Sequence, residues 1–261
     1  MTDQAPIIHV KHLRKAFGPL TVLDGVNLAI APGQTTVIIG PSGCGKSVFL
    51  KSIIGLIKPD RGRVMFQGEN LTRLTERKFA RVRTKFGFLF QGAALFDSMT
   101  VGENVAFPLE EHDVGSSGDR HRRVADVLAM VGLEGLQERF PEELSGGQKK
   151  RVALARAIVL NPEVILYDEP TTGLDPIRAD LINELIRRLQ RTLRVTSIVV
   201  THDMASARRV ADRIVMLHKG RFIADAAPDH LDTIQDQVVR RFIEGRADED
   251  ELRELSRGTS L

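Results

Sequence analysis

The 261-residue chain has no tryptophan, one tyrosine and one cysteine. A single cysteine, Cys44, excludes an internal disulfide and suits a reducing compartment. No apolar run approaches the ~18 residues that a membrane helix needs, so any membrane role has to be borrowed from a partner. The first nine residues carry neither a basic stretch nor an apolar one, and no signal peptide is read there. Strong charge imbalance is missing too. With 37 basic and 34 acidic residues the net charge is +3, a weak argument for nucleic acid. What remains is an ordinary soluble composition, 42% apolar and 27% charged. Such a chain can bury a full core, as one large domain or as a domain with a small appendage.

The pattern that organises the rest is Gly40-Pro41-Ser42-Gly43-Cys44-Gly45-Lys46-Ser47, a phosphate-binding loop of the form G-x-x-x-x-G-K-S. Thr35 to Ile39 before it is apolar and β-branched, as a buried strand should be. Ser47 to Ile57 after it places Val48, Phe49, Ile53, Ile54 and Ile57 near helical spacing. Strand, loop and helix thus fall where the motif needs them. Glycines let backbone N–H groups turn in around an anion, and the helix N-terminus adds partial positive charge. Lys46 is placed to reach the β- and γ-phosphates of a nucleotide, and Ser47 to ligate Mg²⁺. The same positive surroundings are expected to lower the pKa of the Cys44 thiol, with a thiol turned under the loop as the alternative.

Around the loop, Ile7 to Ile30 reads as two or three strands, and Gly62 to Phe66 and Phe86 to Gln91 as further strands flanking a charged helix over about Thr75 to Arg83. Phe17, just upstream of the loop, could stack on a nucleobase or be a core phenylalanine. Residues 92–162 change character and read as an inserted helical subdomain. It is interrupted by a polar stretch at Glu110 to Asp119 and contains an amphipathic helix over Arg122 to Val131. Leu144-Ser145-Gly146-Gly147-Gln148 opens another helix, either as a second anion site or as an ordinary N-cap. Val164 to Tyr167 is a buried strand ending on the carboxylates Asp168 and Glu169, a position near the ligand crevice of an open α/β sheet. There Asp168 would serve Mg²⁺ and Glu169 would polarise an attacking water. Asp175-Pro176 starts a helix to about Thr192, and a strand over Thr196 to Val200 leads to His202. Residues 213–225 form a closing hairpin around His218-Lys219-Gly220. Beyond Ala226 the tail is helical and charged, with Leu231, Ile234, Val238, Val239, Phe242 and Ile243 on its apolar side; Ala247 to Leu261 is too polar for a core.

These motifs, in this order and spacing, resemble those of ABC-type ATPase subunits over about residues 5–225. The resemblance implies an α/β P-loop NTPase fold, with a RecA-like core, an antiparallel β subdomain and an inserted α-helical subdomain at about 92–162. It makes 1–225 the ATPase domain and 226–261 a C-terminal helical tail. It also implies ATP and Mg²⁺ as ligands and a head-to-tail dimer of two copies enclosing two ATP molecules. Phe17 would lie under the adenine, Gln91 would sense Mg²⁺ and couple to a membrane partner, and Ser145 and Gly147 would contact the γ-phosphate held by the other copy. Asp175 would link the two sites, and His202 would complete the γ-phosphate contacts.

A narrower resemblance rests on Phe90 to Val101, Glu103 to Leu109 and Glu169 to Ile177, and points to the ATPase subunits of Mla/Mce-type lipid transporters. It implies an integral membrane permease, an MCE-domain lipid binder and a small STAS-domain protein as partners, no nucleic acid, and a place on the cytoplasmic face of the inner membrane. Under this reading the apolar stretch Ala93-Ala94-Leu95-Phe96 receives a permease helix, unless Leu95 and Phe96 pack inward. The alternative is a soluble ABC ATPase acting on nucleic acid or ribosomes. That class typically has coiled-coil arms or two cassettes, and neither is present in this sequence.

Overall fold

The structure is a computed structural model and describes residues 5–247. Two sheets organise it. The larger has six strands in the order β10-β9-β3-β8-β7-β6. They are β3 (Thr35–Ile39), β6 (Phe86–Leu89), β7 (Val164–Asp168), β8 (Thr196–Thr201), β9 (Arg213–His218) and β10 (Arg221–Ala226). All neighbours are parallel except the β9–β10 hairpin. The smaller sheet is antiparallel, in the order β2-β1-β4-β5, built from β1 (Ile8–Phe17), β2 (Leu20–Ile30), β4 (Arg61–Phe66) and the two-residue β5 (Glu69–Asn70).

Parallel strands with both faces covered need apolar side chains in both directions. That is why β3, β7 and β8 are buried along their whole length. In β3, Ile38 points into a core shared with α1 (Lys46–Ile53), α2 (Glu76–Arg83) and the antiparallel sheet. Val37 and Ile39 point into a second core, under the helices on the opposite face. The helices over this second core include α3 (Val101–Glu111), α4 (Ser117–Met130), α5 (Gly146–Ile158), α6 (Pro176–Leu193) and α7 (Met204–Val210). The only tyrosine of the chain, Tyr167, lies wholly buried in that core. The C-terminal ends of β3, β6, β7 and β8 lead into the phosphate loop, Gln91, Glu169 and His202, so the parallel sheet brings four distant stretches to one edge.

Several elements differ from the sequence reading, each for a local reason. The helix expected to start at Arg122 begins at Ser117, because the Ser116 hydroxyl and the Asp119 carboxylate cap each other's backbone N–H groups. That shortens the polar interruption. α7 was not expected; Asp203 caps it through Ala205 N–H and only Ser206, Ala207 and Val210 are buried, too few to leave a periodic signature. In the tail, α8 (Gln237–Ile243) buries Val239, but Val238 faces solvent and is not on the apolar side. The polar reading of Ala247 to Leu261 falls, beyond Ala247, outside the described residues.

Candidate functional site

The phosphate loop packs against its neighbours at two close approaches. Gly40, at φ 150°, passes so near β9 that a Cβ would stand 2.2 Å from the Leu217 carbonyl oxygen. Gly45, at φ 108°, is the N-cap of α1 and faces Val22 at 2.9 Å from where a Cβ would be. It has no side chain to cap the helix, so no N-cap side chain competes with a ligand for the first turn of α1. Lys46 begins the helix, and its buried Nζ donates to the carbonyls of Gly40 (2.7 Å) and Pro41 (3.0 Å). The same ammonium is 3.6 Å from Glu169 Oε1. Beside it, Ser47 Oγ donates to Asp168 Oδ1 at 2.6 Å, which joins the loop to the end of β7.

Glu169 follows β7 with φ 49°, a left-handed conformation that costs a non-glycine residue about 1–3 kcal/mol. Its N–H is tied to the Val200 carbonyl at 3.0 Å and its carbonyl accepts from Lys150 Nζ at 3.2 Å. The strained backbone aims the carboxylate back over the loop. There Oε2 meets His202 Nδ1 at 3.0 Å and accepts from Thr172 Oγ1 at 3.3 Å. Phe17, Ser42, Gly43, Gly45, Lys46, Ser47, Gln91, Glu169 and His202 line one cleft of about 470 Å³. Phe17 is 48% exposed with Lys15 Nζ 5.2 Å from its ring centre, so it is no core phenylalanine. An ammonium, a helix N-terminus without a side-chain cap, hard oxygen donors and a carboxylate paired with an imidazole thus share one opening, a set suited to a polyphosphate and to hydrolytic proton transfer.

Cys44 departs from the sequence expectation. Its sulfur turns under the loop, 2.9 Å from where a Cβ on Gly40 would be. Burial pushes the thiol pKa up, and the Glu169 charge adds to this; Lys46, by charge and backbone N–H, opposes without prevailing. Desolvation outweighs the positive surroundings here.

Ser145, Gly146, Gly147, Gln148 and Asp175 do not line the cleft. Ser145 caps α5: its Oγ accepts from Gln148 N–H at 3.4 Å while its own N–H donates to Gln148 Oε1 at 2.9 Å. Asp175 caps α6 through Arg178 N–H at 3.0 Å and pairs with the Arg178 side chain at 3.2 Å. The two caps are neighbours, since a Cβ on Gly147 would stand 3.7 Å from Arg178 Cδ. One chain therefore presents two separate clusters.

The stretch after Gln91 is also only partly as expected. Ala93 is buried in the helical core and Leu95 packs against it, which leaves Ala94 and Phe96 on the surface. Phe96 rests on Phe107 at 4.8 Å between ring centres, with the Arg156 guanidinium 5.7 Å from its own. Two site neighbours escaped the sequence reading, Lys150 and Thr172. Lys150 sits in Lys149-Lys150-Arg151, which looks like a solvated run. Only its helical spacing to buried Ala153 and Leu154 marks it as facing inward.

Comparison with known proteins converges on the same assignment. The family described as ABC transporter matches residues 23–172. A probable ribonucleotide transport ATP-binding protein, mkl, of Mycobacterium tuberculosis is 42% identical over 239 residues, 92% of this chain and 67% of that protein. The intermembrane phospholipid transport system ATP-binding protein MlaF of Haemophilus influenzae is 40% identical over 242 residues, 93% of this chain and 92% of the relative. Among solved structures, the dimeric post-hydrolysis state of the ATP-binding cassette MJ0796 bound to ADP and Pi superposes with a TM-score of 0.78 at 36% identity. It covers 85% of this chain and 98% of that one. With the fold and the cleft described above, these likenesses show that the chain belongs to the ABC transporter family, as an ATPase subunit of the MlaF type.

Proposed function

We propose that this ATPase powers the movement of phospholipid through a partner permease, and that two copies close head to tail around two ATP molecules. The observation that carries the chemistry is the convergence of Lys46, Glu169 and His202 on the cleft where Ser47 meets Asp168. In this reading the adenine stacks on Phe17 and the triphosphate occupies the loop from Gly40 to Ser47, including Pro41, Ser42, Gly43, Cys44 and Gly45. Incoming phosphate oxygens compete with Glu169 for the Lys46 ammonium. The Ser47 hydroxyl, the Asp168 carboxylate and the Gln91 amide are hard oxygen donors of the kind Mg²⁺ prefers, and the 2.6 Å contact already places the first two together. Bound there, Mg²⁺ would neutralise charge on the phosphates.

Glu169 takes a proton from water as its oxygen bonds to the γ-phosphorus, and the bond to the β-phosphate oxygen breaks, with its electron pair leaving on ADP. His202, held on Glu169 Oε2, contacts the γ-phosphate. Ser145, Gly146, Gly147 and Gln148 meet the γ-phosphate bound by the second copy, and Asp175 joins the two sites. The phosphate loop and the Ser145 turn form separate clusters in one chain, which is what a shared site requires.

The partners in this reading are a second copy, an integral membrane permease docked at Ala94 and Phe96, an MCE-domain lipid binder and a small STAS-domain protein. Together they set the ATPase on the cytoplasmic face of the inner membrane. Likeness to MlaF supports a phospholipid cargo; the name of the mkl relative points elsewhere, so cargo is the point to test. The chain is purified with its co-purifying membrane subunits, the subunits are identified, and ATPase activity is measured with phospholipid or with ribonucleotide. Stimulation by phospholipid, with an MCE-domain protein among the subunits, is expected. Stimulation by ribonucleotide alone would overturn the cargo.

A further inference from the structure

Helix α5 carries a buried charge that none of the roles above uses. Lys150 is 6% exposed. Among the described residues its ammonium makes no ion pair, and it donates to two backbone carbonyls, Gln91 O at 2.7 Å and Glu169 O at 3.2 Å. A desolvated ammonium is costly, and burial lowers its pKa against the opposing charges of Glu169 and Asp168.

What it holds explains why a cation stands there. β6 ends at Leu89 and β7 at Asp168, and these adjacent strands release the Gln91 and Glu169 carbonyls just beyond their last paired residues. Backbone acceptors in a buried place need donors. Both stretches are also locally strained: Glu169 has φ 49°, and Ala93 and Ala94 after Gln91 have φ 63° and 51°. A single ammonium with three N–H groups can reach two carbonyls on different strands, which a neutral amide cannot match in strength. Further along the same helix, Arg156 Nη2 does the same for Ala93 O (3.0 Å) and Ala94 O (2.7 Å). The helix that begins at the Ser145 turn is thereby pinned by two cations to the loop of Gln91.

We infer that Lys150 is a positioning residue for ATP hydrolysis: by holding the Gln91 and Glu169 carbonyls together against α5, it fixes the direction of the Glu169 carboxylate. The inference rests on the proposed role of Glu169. Lys150→Met keeps the length of the side chain and removes the donors, and Lys150→Arg keeps donors and charge. Each is made in the full chain with its co-purifying subunits, alone and combined with Glu169→Gln. Turnover, KM for ATP, binding of a fluorescent ATP analogue and the melting temperature are measured.

Lys150→Met is expected to lower kcat about 30-fold with KM and analogue binding within about twofold, as for loss of a charged hydrogen bond felt at the reacting group. Lys150→Arg recovers most of that rate. Added to Glu169→Gln, Lys150→Met costs nothing further, because the group it positions is gone. Three results would overturn the inference. One is kcat within twofold of the parent in a folded Lys150→Met. Another is an additive loss in the double variant. The third is a loss of rate that follows melting temperature and analogue binding in both single variants, which would make Lys150 a plain fold residue. Should Glu169→Gln itself turn over ATP normally, the reading of Glu169 fails and the inference falls with it, an outcome distinct from the other three.

Discussion

Two helices of this protein begin at glycine-rich turns, and they are finished differently. α1 starts at Gly45, which has no side chain to cap it, so no side chain of its own closes the first turn. α5 starts at Ser145, whose side chain and N–H exchange hydrogen bonds with Gln148, so its first turn is closed on itself. Both turns resemble anion cradles in sequence, but only at the first do Lys46, the Ser47 hydroxyl and the carboxylates of Asp168 and Glu169 converge at one cleft. In the function proposed above, the first holds a phosphate within one chain. In the same proposal, the second is a lid for a phosphate brought by another chain.

The sharpest way to break this comparison is to remove the proposed catalytic group from the first cluster alone. Glu169→Gln should lower ATP turnover about a thousandfold while ATP still binds, and should accumulate an ATP-bound dimer detectable by size-exclusion chromatography. Near-normal steady-state turnover would take Glu169 out of the chemistry. Next comes a paired test of the two helix starts. Gly45→Ala forces a Cβ to within 2.9 Å of Val22 at φ 108°, so ATP affinity should drop at least about tenfold. Ser145→Ala should leave the affinity of the single chain unchanged and cost about 1 kcal/mol of stability through the lost cap. Equal losses of affinity in both would erase the distinction.

Mixing chains tests the lid directly. A Lys46→Ala chain combined with a Ser145→Arg chain gives mixed dimers with both lesions in one site and none in the other. Partial recovery of ATPase is expected, and recovery absent from confirmed mixed dimers would count against a shared site. The smallest effect concerns Cys44. Its pKa is raised by burial, so thiolate is scarce at neutral pH and alkylation should be slow, accelerating as pH climbs above the usual thiol range. Intact-mass labelling across pH reads this. Fast labelling at pH 7 would mean the sulfur does not sit under the loop.

Much of this was legible because it was local. The phosphate loop, the strand before it and the acidic pair at the end of β7 each announce themselves within about ten residues. So do Asp175 before Pro176 and the Ser145 turn before α5. What escaped depends on residues far along the chain. Cys44 turns inward where Gly40 passes close to Leu217, and a reading of the loop alone could not decide between its positive field and a thiol under the loop. Ala93 is buried by helices whose packing no stretch near Gln91 records. Lys150 is chemically distinct from Lys149 only because α5 turns one of them toward the ends of β6 and β7. α7 has a cap but too short an apolar face to be heard between two strands.

The seclusion of Tyr167 gives the protein a built-in optical gauge. With no tryptophan in the chain, ultraviolet emission comes essentially from this one phenol, which sits immediately before Asp168 and Glu169. Burial holds its ionisation far above the ordinary range, so phenolate absorbance should stay silent in mild alkali while the sheet is shut. A rise in that absorbance therefore times the opening of the very strand that presents the carboxylates, without any attached dye.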